Sequence, residues 1–63
     1  MLSEEERFVY GLLKAGSGSK YQSDMIRETG WSKVKVTRVL DRLESRGLVE
    51  RRRRGMTNVI LLK

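Results

Sequence analysis

Apolar residues recur along this chain in two rhythms, a helical one as far as Leu48 and an extended one beyond it. The clearest helical run is Trp31 to Leu48, WSKVKVTRVLDRLESRGL. Within it Val36, Val39, Leu40 and Leu43 stand at i, i+3, i+4 and i+7, so at about 100° per residue they form one apolar stripe that must face a core. Ser32 is a good N-cap, because its hydroxyl can accept a hydrogen bond from an unpaired N–H group of the first turn. Gly47 suits the left-handed residue that closes a helix, and Leu48 then returns onto Leu43 in a Schellman cap. The pattern predicts a helix over about residues 33–46.

Two shorter helices precede it. Ser3 and Glu6 have capping-box spacing, and Glu4, Glu5 and Glu6 complement the dipole of a helix over about 3–15, which explains these carboxylates better than catalysis does. Phe8, Val9, Leu12 and Leu13 form its inward stripe, and Gly16 opens a GSGS stretch that reads as a flexible link. Ser19 to Tyr21 fit a very short strand. A second helix follows at about 22–29, capped either by Ser19 with Gln22 three residues on or by Ser23. Met25 and Ile26 face inward, and Gly30 stops the helix with Trp31 placed to fold back on Ile26. Trp31 either fills the angle between helices or stacks on a base; directly after a helix stop, the packing role is the simpler one. After Leu48 the run LVERRRR, GMTN, VILLK predicts strands at about 48–54 and 58–63 joined as a hairpin. The fold class is α+β, mainly α, in a single domain over residues 1–63.

Composition narrows the chemistry. Sixty-three residues make one small domain with a thin core. With no Cys and no His, there is no thiolate nucleophile and no His- or Cys-based metal site, so neither a cofactor nor a metal is expected and catalysis is not expected. The net charge of +6 is unevenly spread: residues 1–30 hold four Lys/Arg against five Asp/Glu, a net of −1, and residues 31–63 hold ten against three, a net of +7. A basic field of this kind attracts polyanions. No apolar run approaches the roughly 18 residues of a membrane span and no signal peptide opens the chain, so the segment is expected in the cytoplasm, associated with the nucleoid, without membrane contact of its own.

The long helix carries that charge outward. Opposite its apolar stripe lie Val34, Thr37, Arg38 and Asp41, flanked by Lys35 and Arg42. A DNA major groove is wide enough for a helix; Arg or Lys donates to guanine O6 and N7, and a small apolar side chain touches the thymine methyl. The competing account is a merely solvated charged face with one exposed valine. Arg51, Arg52, Arg53 and Arg54 climb one strand of the hairpin, where they lie along phosphates or enter a narrow minor groove, or else only protect a sheet edge. Thr29 to Ser32 is the short, Gly-containing turn of a helix-turn-helix unit, whose first helix crosses the DNA backbone while the second enters the groove.

Helix, short strand, helix, then GWSKVKVTRVLDRLESRGLVERR and a Gly-tipped hairpin: this order resembles the winged helix-turn-helix module of MarR-type transcriptional regulators of archaea and bacteria. The resemblance covers about Leu2 to Leu62, and Ser32 to Arg52 is its specific part. It implies that Lys33, Val34, Lys35, Thr37 and Arg38 face the major groove, that Gln22 and Ser23 approach a phosphate, and that Arg52 to Asn58, including Met56 and Thr57, form the wing. Full regulators of this type carry extra helices at both ends that build a dimer and often a ligand pocket. This sequence stops at the second wing strand, so two expectations stand: a minimal module, or the C-terminal domain of a longer protein whose sensor or membrane segment lies upstream. The expected partner is double-stranded DNA, with a homodimer left open. Two alternatives stay beside this one: a protein-interaction module built on the same fold, and RNA binding, which the hidden major groove of A-form RNA and the missing aromatic platform disfavour.

Overall fold

The helical and extended rhythms both resolve into regular elements in the computed structural model, which describes residues 1–63. The order is α1 (Glu4–Ala15), β1 (Ser19–Tyr21), α2 (Gln22–Thr29), α3 (Lys33–Ser45), β2 (Val49–Arg54) and β3 (Thr57–Leu62). The strands form one antiparallel sheet in the order β1-β3-β2, with Tyr21 opposite Val59 and Arg52 opposite Val59 on its other side. The domain is therefore α+β, three helices on a three-stranded sheet, an arrangement compatible with a winged helix. No helix is long and apolar enough to cross a membrane.

The stripe of α3 builds the centre of the core. Val36, Val39, Leu40 and Leu43 are all buried, and they meet Val9 and Leu13 of α1, Met25 of α2, Val49 of β2 and Ile60 of β3. Both ends of α3 are capped as expected. Ser32 Oγ accepts from Lys35 N–H at 3.1 Å. At the other end Gly47 has φ 76°, its N–H donates to the Glu44 carbonyl, and the Leu48 N–H donates to the Leu43 carbonyl, which is the paired bonding of a Schellman motif. The hairpin turns on Gly55 and Met56, since Arg54 pairs with Thr57. Gly55 stands at φ 61°, and glycine in the first position of a two-residue turn matches the twist of the strands.

Three local expectations are corrected. Phe8 does not point inward: it is about half exposed and rests against Trp31, ring centroids 5.7 Å apart, because it sits at the margin of the α1 stripe that Val9 and Leu13 fill. Neither serine caps α2. Its N-cap is Tyr21, which makes no side-chain cap bond, because β1 stays paired to β3 up to that residue and runs straight into the helix. Nor is the GSGS stretch a free link. Gly16 has an ordinary negative φ, the left-handed positions are Ser17 and Gly18, and Gly18 donates to the Leu13 carbonyl and accepts from Leu62 N–H, each at 2.8 Å.

Glu6 is the one carboxylate inside. It completes the capping box, with Ser3 N–H donating to Glu6 Oε1 at 2.7 Å and Glu6 N–H donating to Ser3 Oγ at 3.1 Å. Its other oxygen accepts from Arg46 Nε at 3.1 Å, joining the start of α1 to the end of α3. The Ser3 N–H, and then the Ser3 hydroxyl and Arg46, outweigh burial and hold the Glu6 carboxyl below its ordinary 4.5. A depressed carboxylate contributes stability above its unfolded pKa and loses it as pH falls through the folded one. Thermal melting should therefore move to lower temperature as pH drops below about 4.5, and Glu6→Gln should lower the melting point at neutral pH while flattening that acid dependence. An acid limb identical in Glu6→Gln and the unaltered chain would show that Glu6 titrates as it does unfolded.

Candidate nucleic-acid interface

At 100° per residue the solvent side of α3 divides into a crest and two flanks. Val34 is on the crest, 60% exposed. Lys33, Thr37, Asp41 and Glu44 line the flank toward the hairpin, and Lys35, Arg38 and Arg42 line the flank toward α1. The side-chain contacts follow this division.

On the α1 flank Lys35 is drawn away from the crest. Its Nζ is 2.7 Å from Glu5 Oε2 and 4.6 Å from the centre of the Trp31 ring, so an ion pair and a cation–π contact hold it against the first helix. The expectation that Lys35 faces outward with Arg38 is corrected on this point. Arg38 and Arg42 beside it are exposed and have no carboxylate partner.

On the hairpin flank α3 is clasped to β2 through Arg51. Its Nη2 reaches Asp41 Oδ1 and Glu44 Oε1, each at 2.6 Å, and its Nε donates to Glu44 Oε1 at 3.1 Å. Burial works against the Arg51 charge, but the two carboxylates outweigh it and raise the guanidinium above its ordinary range. Arg51, expected among phosphate-binding residues, is thus a brace between helix and hairpin. A signal for it was present: Asp41 and Glu44 are three residues apart, so they form an acidic pair on one helix flank, across from an arginine run. Arg52 is paired with Glu50 at 2.8 Å on the exposed face of the strand. Arg53 and Arg54 have no carboxylate partner; Arg53 Nε donates to the Gly55 carbonyl at 3.1 Å, which lays its side chain along the turn.

Gln22 is placed differently from its expected position at a phosphate. It is 6% exposed, and its amide bridges two elements: Gln22 Nε2 donates to Thr37 Oγ1 at 3.1 Å, and Asn58 Nδ2 donates to Gln22 Oε1 at 3.0 Å. Sequence spacing held no sign of this relay, which joins α2, α3 and β3. Ser23, the next residue, is exposed in the first turn of α2, where no side-chain cap occupies the N–H groups. Ser23, Lys33, Arg53, Met56 and Thr57 surround a hollow of about 230 Å³ between the two helix starts and the hairpin. Met56 stands at the tip, 92% exposed.

The site is therefore narrower than the sequence alone suggests. Six of the fourteen basic side chains are ion-paired. Of the eight that are not, Lys33, Arg38, Arg42, Arg53 and Arg54 lie on α3 and the hairpin. The fold and this surface define a small α+β domain with an open cationic face made by one helix and one hairpin tip. The chain belongs to the family described as Domain of unknown function (DUF7343), whose profile matches residues 1–63. A search of curated proteins and a search of solved structures each returned no match.

Proposed function

We propose that this chain is a winged helix-turn-helix module of MarR-like type that binds double-stranded DNA sequence-specifically in transcriptional regulation. In this reading α3 enters the major groove and the β2–β3 hairpin is a wing on phosphates or in the minor groove. The observation that carries it is the sorting of cations just described. Charges that fold the domain are paired with carboxylates, and Lys33, Arg38, Arg42, Arg53 and Arg54 are left for a polyanion. In this reading Arg38 donates to guanine, Val34 touches a thymine methyl and Thr37 bonds a base edge. Ser23 and the uncapped start of α2 suit a phosphate, since free N–H groups and the helix dipole favour an anion there.

The test is a selection from random duplexes at two salt concentrations, followed by the affinity of the enriched site against scrambled DNA. An enriched motif is the expected result, and half-sites about 10 base pairs apart would add that two copies bind together. If no motif emerges and the salt dependence is steep throughout, the surface binds phosphates without reading bases. If affinity is no greater than that of a basic peptide of equal charge, the module serves a protein partner instead.

A further inference from the structure

Helix α1 has a second apolar side. Val9 and Leu13 turn into the core, while Phe8, Gly11, Leu12 and Ala15 recur at i, i+3, i+4 and i+7, the spacing of another stripe. The domain leaves this stripe largely open: Phe8 is about half exposed, Gly11 and Ala15 are exposed, and Leu12 is half-buried. Gly11 has no local reason to be glycine. It lies in the interior of a 12-residue helix, where glycine is a poorer helix former than any residue but proline. A Cβ added there would meet no atom of this chain within 4 Å. The missing side chain therefore makes room for something outside the domain, since glycine lets another body approach the backbone closely.

Charge on the helix follows the same line. Seven of the eight carboxylates are paired with Lys or Arg, and Glu4, in the first turn of α1, is the one that is not. Arg7 and Lys14, further along the helix, have no carboxylate either; Lys14 Nζ lies over the Tyr10 ring, 5.6 Å from its centre. We infer that this face of α1 docks antiparallel on the same face of a second copy of the chain, with Phe8 of each copy seated over Gly11 of the other. A two-fold interface needs every feature to find its complement on the same surface, and this one does. The bulky ring and the empty position stand three residues apart, so they exchange places across the axis. The same register brings Glu4 level with Ala15 of the other copy and within reach of its Lys14, and it opposes the two helix dipoles. A parallel pair would set Glu4 against Glu4. One crossing of two short helices is a small contact, below the roughly 1,200 Å² of standard interfaces, so the dimer is weak and reversible. None of these residues belongs to the cationic face of α3 and the hairpin, so the inference does not rest on the DNA reading.

The experiment is sedimentation equilibrium without DNA, at concentrations up to about 1 mM, with thermal melting of each protein in dilute solution. The unaltered chain should show a monomer–dimer equilibrium. Gly11→Gln fills the position under Phe8 and should weaken association about tenfold, while the melting point rises because glutamine is the better helix former. Weaker association in a more stable domain separates the contact from the fold. Glu4→Lys and Lys14→Glu should each weaken association about fivefold, since each breaks two symmetry-related pairs, and the double variant should recover the loss. A chain that stays monomeric up to about 1 mM, or association unchanged by Gly11→Gln, overturns the inference. Single charge variants that lose nothing, or a double variant as weak as they are, overturn the antiparallel register and the docking built on it. The duplex selection is a separate readout, and each of these outcomes leaves it untouched.

Discussion

Replacing Arg53 and Arg54 together by alanine should lower affinity for every duplex, matched or scrambled, by about thirtyfold near 0.15 M salt. Both side chains are exposed at the hairpin tip without a carboxylate partner, so each is free to neutralise one phosphate. Each such contact releases condensed counterions and adds about 0.9 to the slope of log affinity against log salt. Losing two flattens the slope by about 1.8, which gives the thirtyfold figure at 0.15 M and almost no deficit near 1 M. Fluorescence anisotropy titrations at four salt concentrations measure it. Two contrasts make the result specific. Arg52→Ala should cost less, because Glu50 holds that guanidinium at 2.8 Å and the pair must open before DNA is met. Arg38→Ala should cost about 1–3 kcal/mol on the selected site and little on scrambled DNA, relaxing preference without altering the slope as much. A double variant whose slope equals that of the unaltered chain would take the hairpin off the phosphates.

The difference between Arg53 and Arg51 shows where sequence reading reaches its limit. Periodicity identified α3 and its stripe because four apolar residues at helical spacing leave one face to bury, and Ser32 and Gly47 supply end chemistry that depends only on neighbouring residues. What a long charged side chain touches depends on which element lies beside it, and that is decided by tertiary packing. Arg51 and Arg53 are two residues apart in one basic run. Yet Arg51 faces Asp41 and Glu44 across from β2, while Arg53 has passed the end of that acidic flank. Lys35 meets Glu5 only because α1 packs on that side of α3. Gln22 looked like a surface residue because glutamine usually is one; its burial follows from β1 running directly into α2, which tucks the first helical side chain under Asn58 and Thr37. On α3 and the hairpin the five free cations are thus what remains after carboxylates have claimed Lys35, Arg51 and Arg52.

Leu43→Ala should unfold a large part of the population at 25 °C and abolish DNA binding in proportion. Leu43 is fully buried, and its carbonyl accepts the Leu48 N–H that closes the Schellman cap. Emptying the site therefore leaves a cavity where the last turn of α3 is anchored over β2. Leucine-to-alanine changes in cores cost about 2–5 kcal/mol, and a core of nine buried apolar residues in a domain of this length supplies net stability of about 3–5 kcal/mol. The two figures are of the same size, so this single change removes most of the margin. Val34→Ala is the control, because an exposed side chain leaves no cavity: its melting point should stay put while thymine preference weakens. Duplex carrying the selected site should refold Leu43→Ala, since a ligand at a hundred times its dissociation constant adds about 2.7 kcal/mol to the folded state. Scrambled duplex should do so less. A melting curve recovered by the selected site and not by polyanions in general would tie the thin core, the helix it anchors and the bases that helix reads into one equilibrium. A Leu43→Ala protein that melts with the unaltered chain would move the core away from α3 and remove the physical basis for its exposed face.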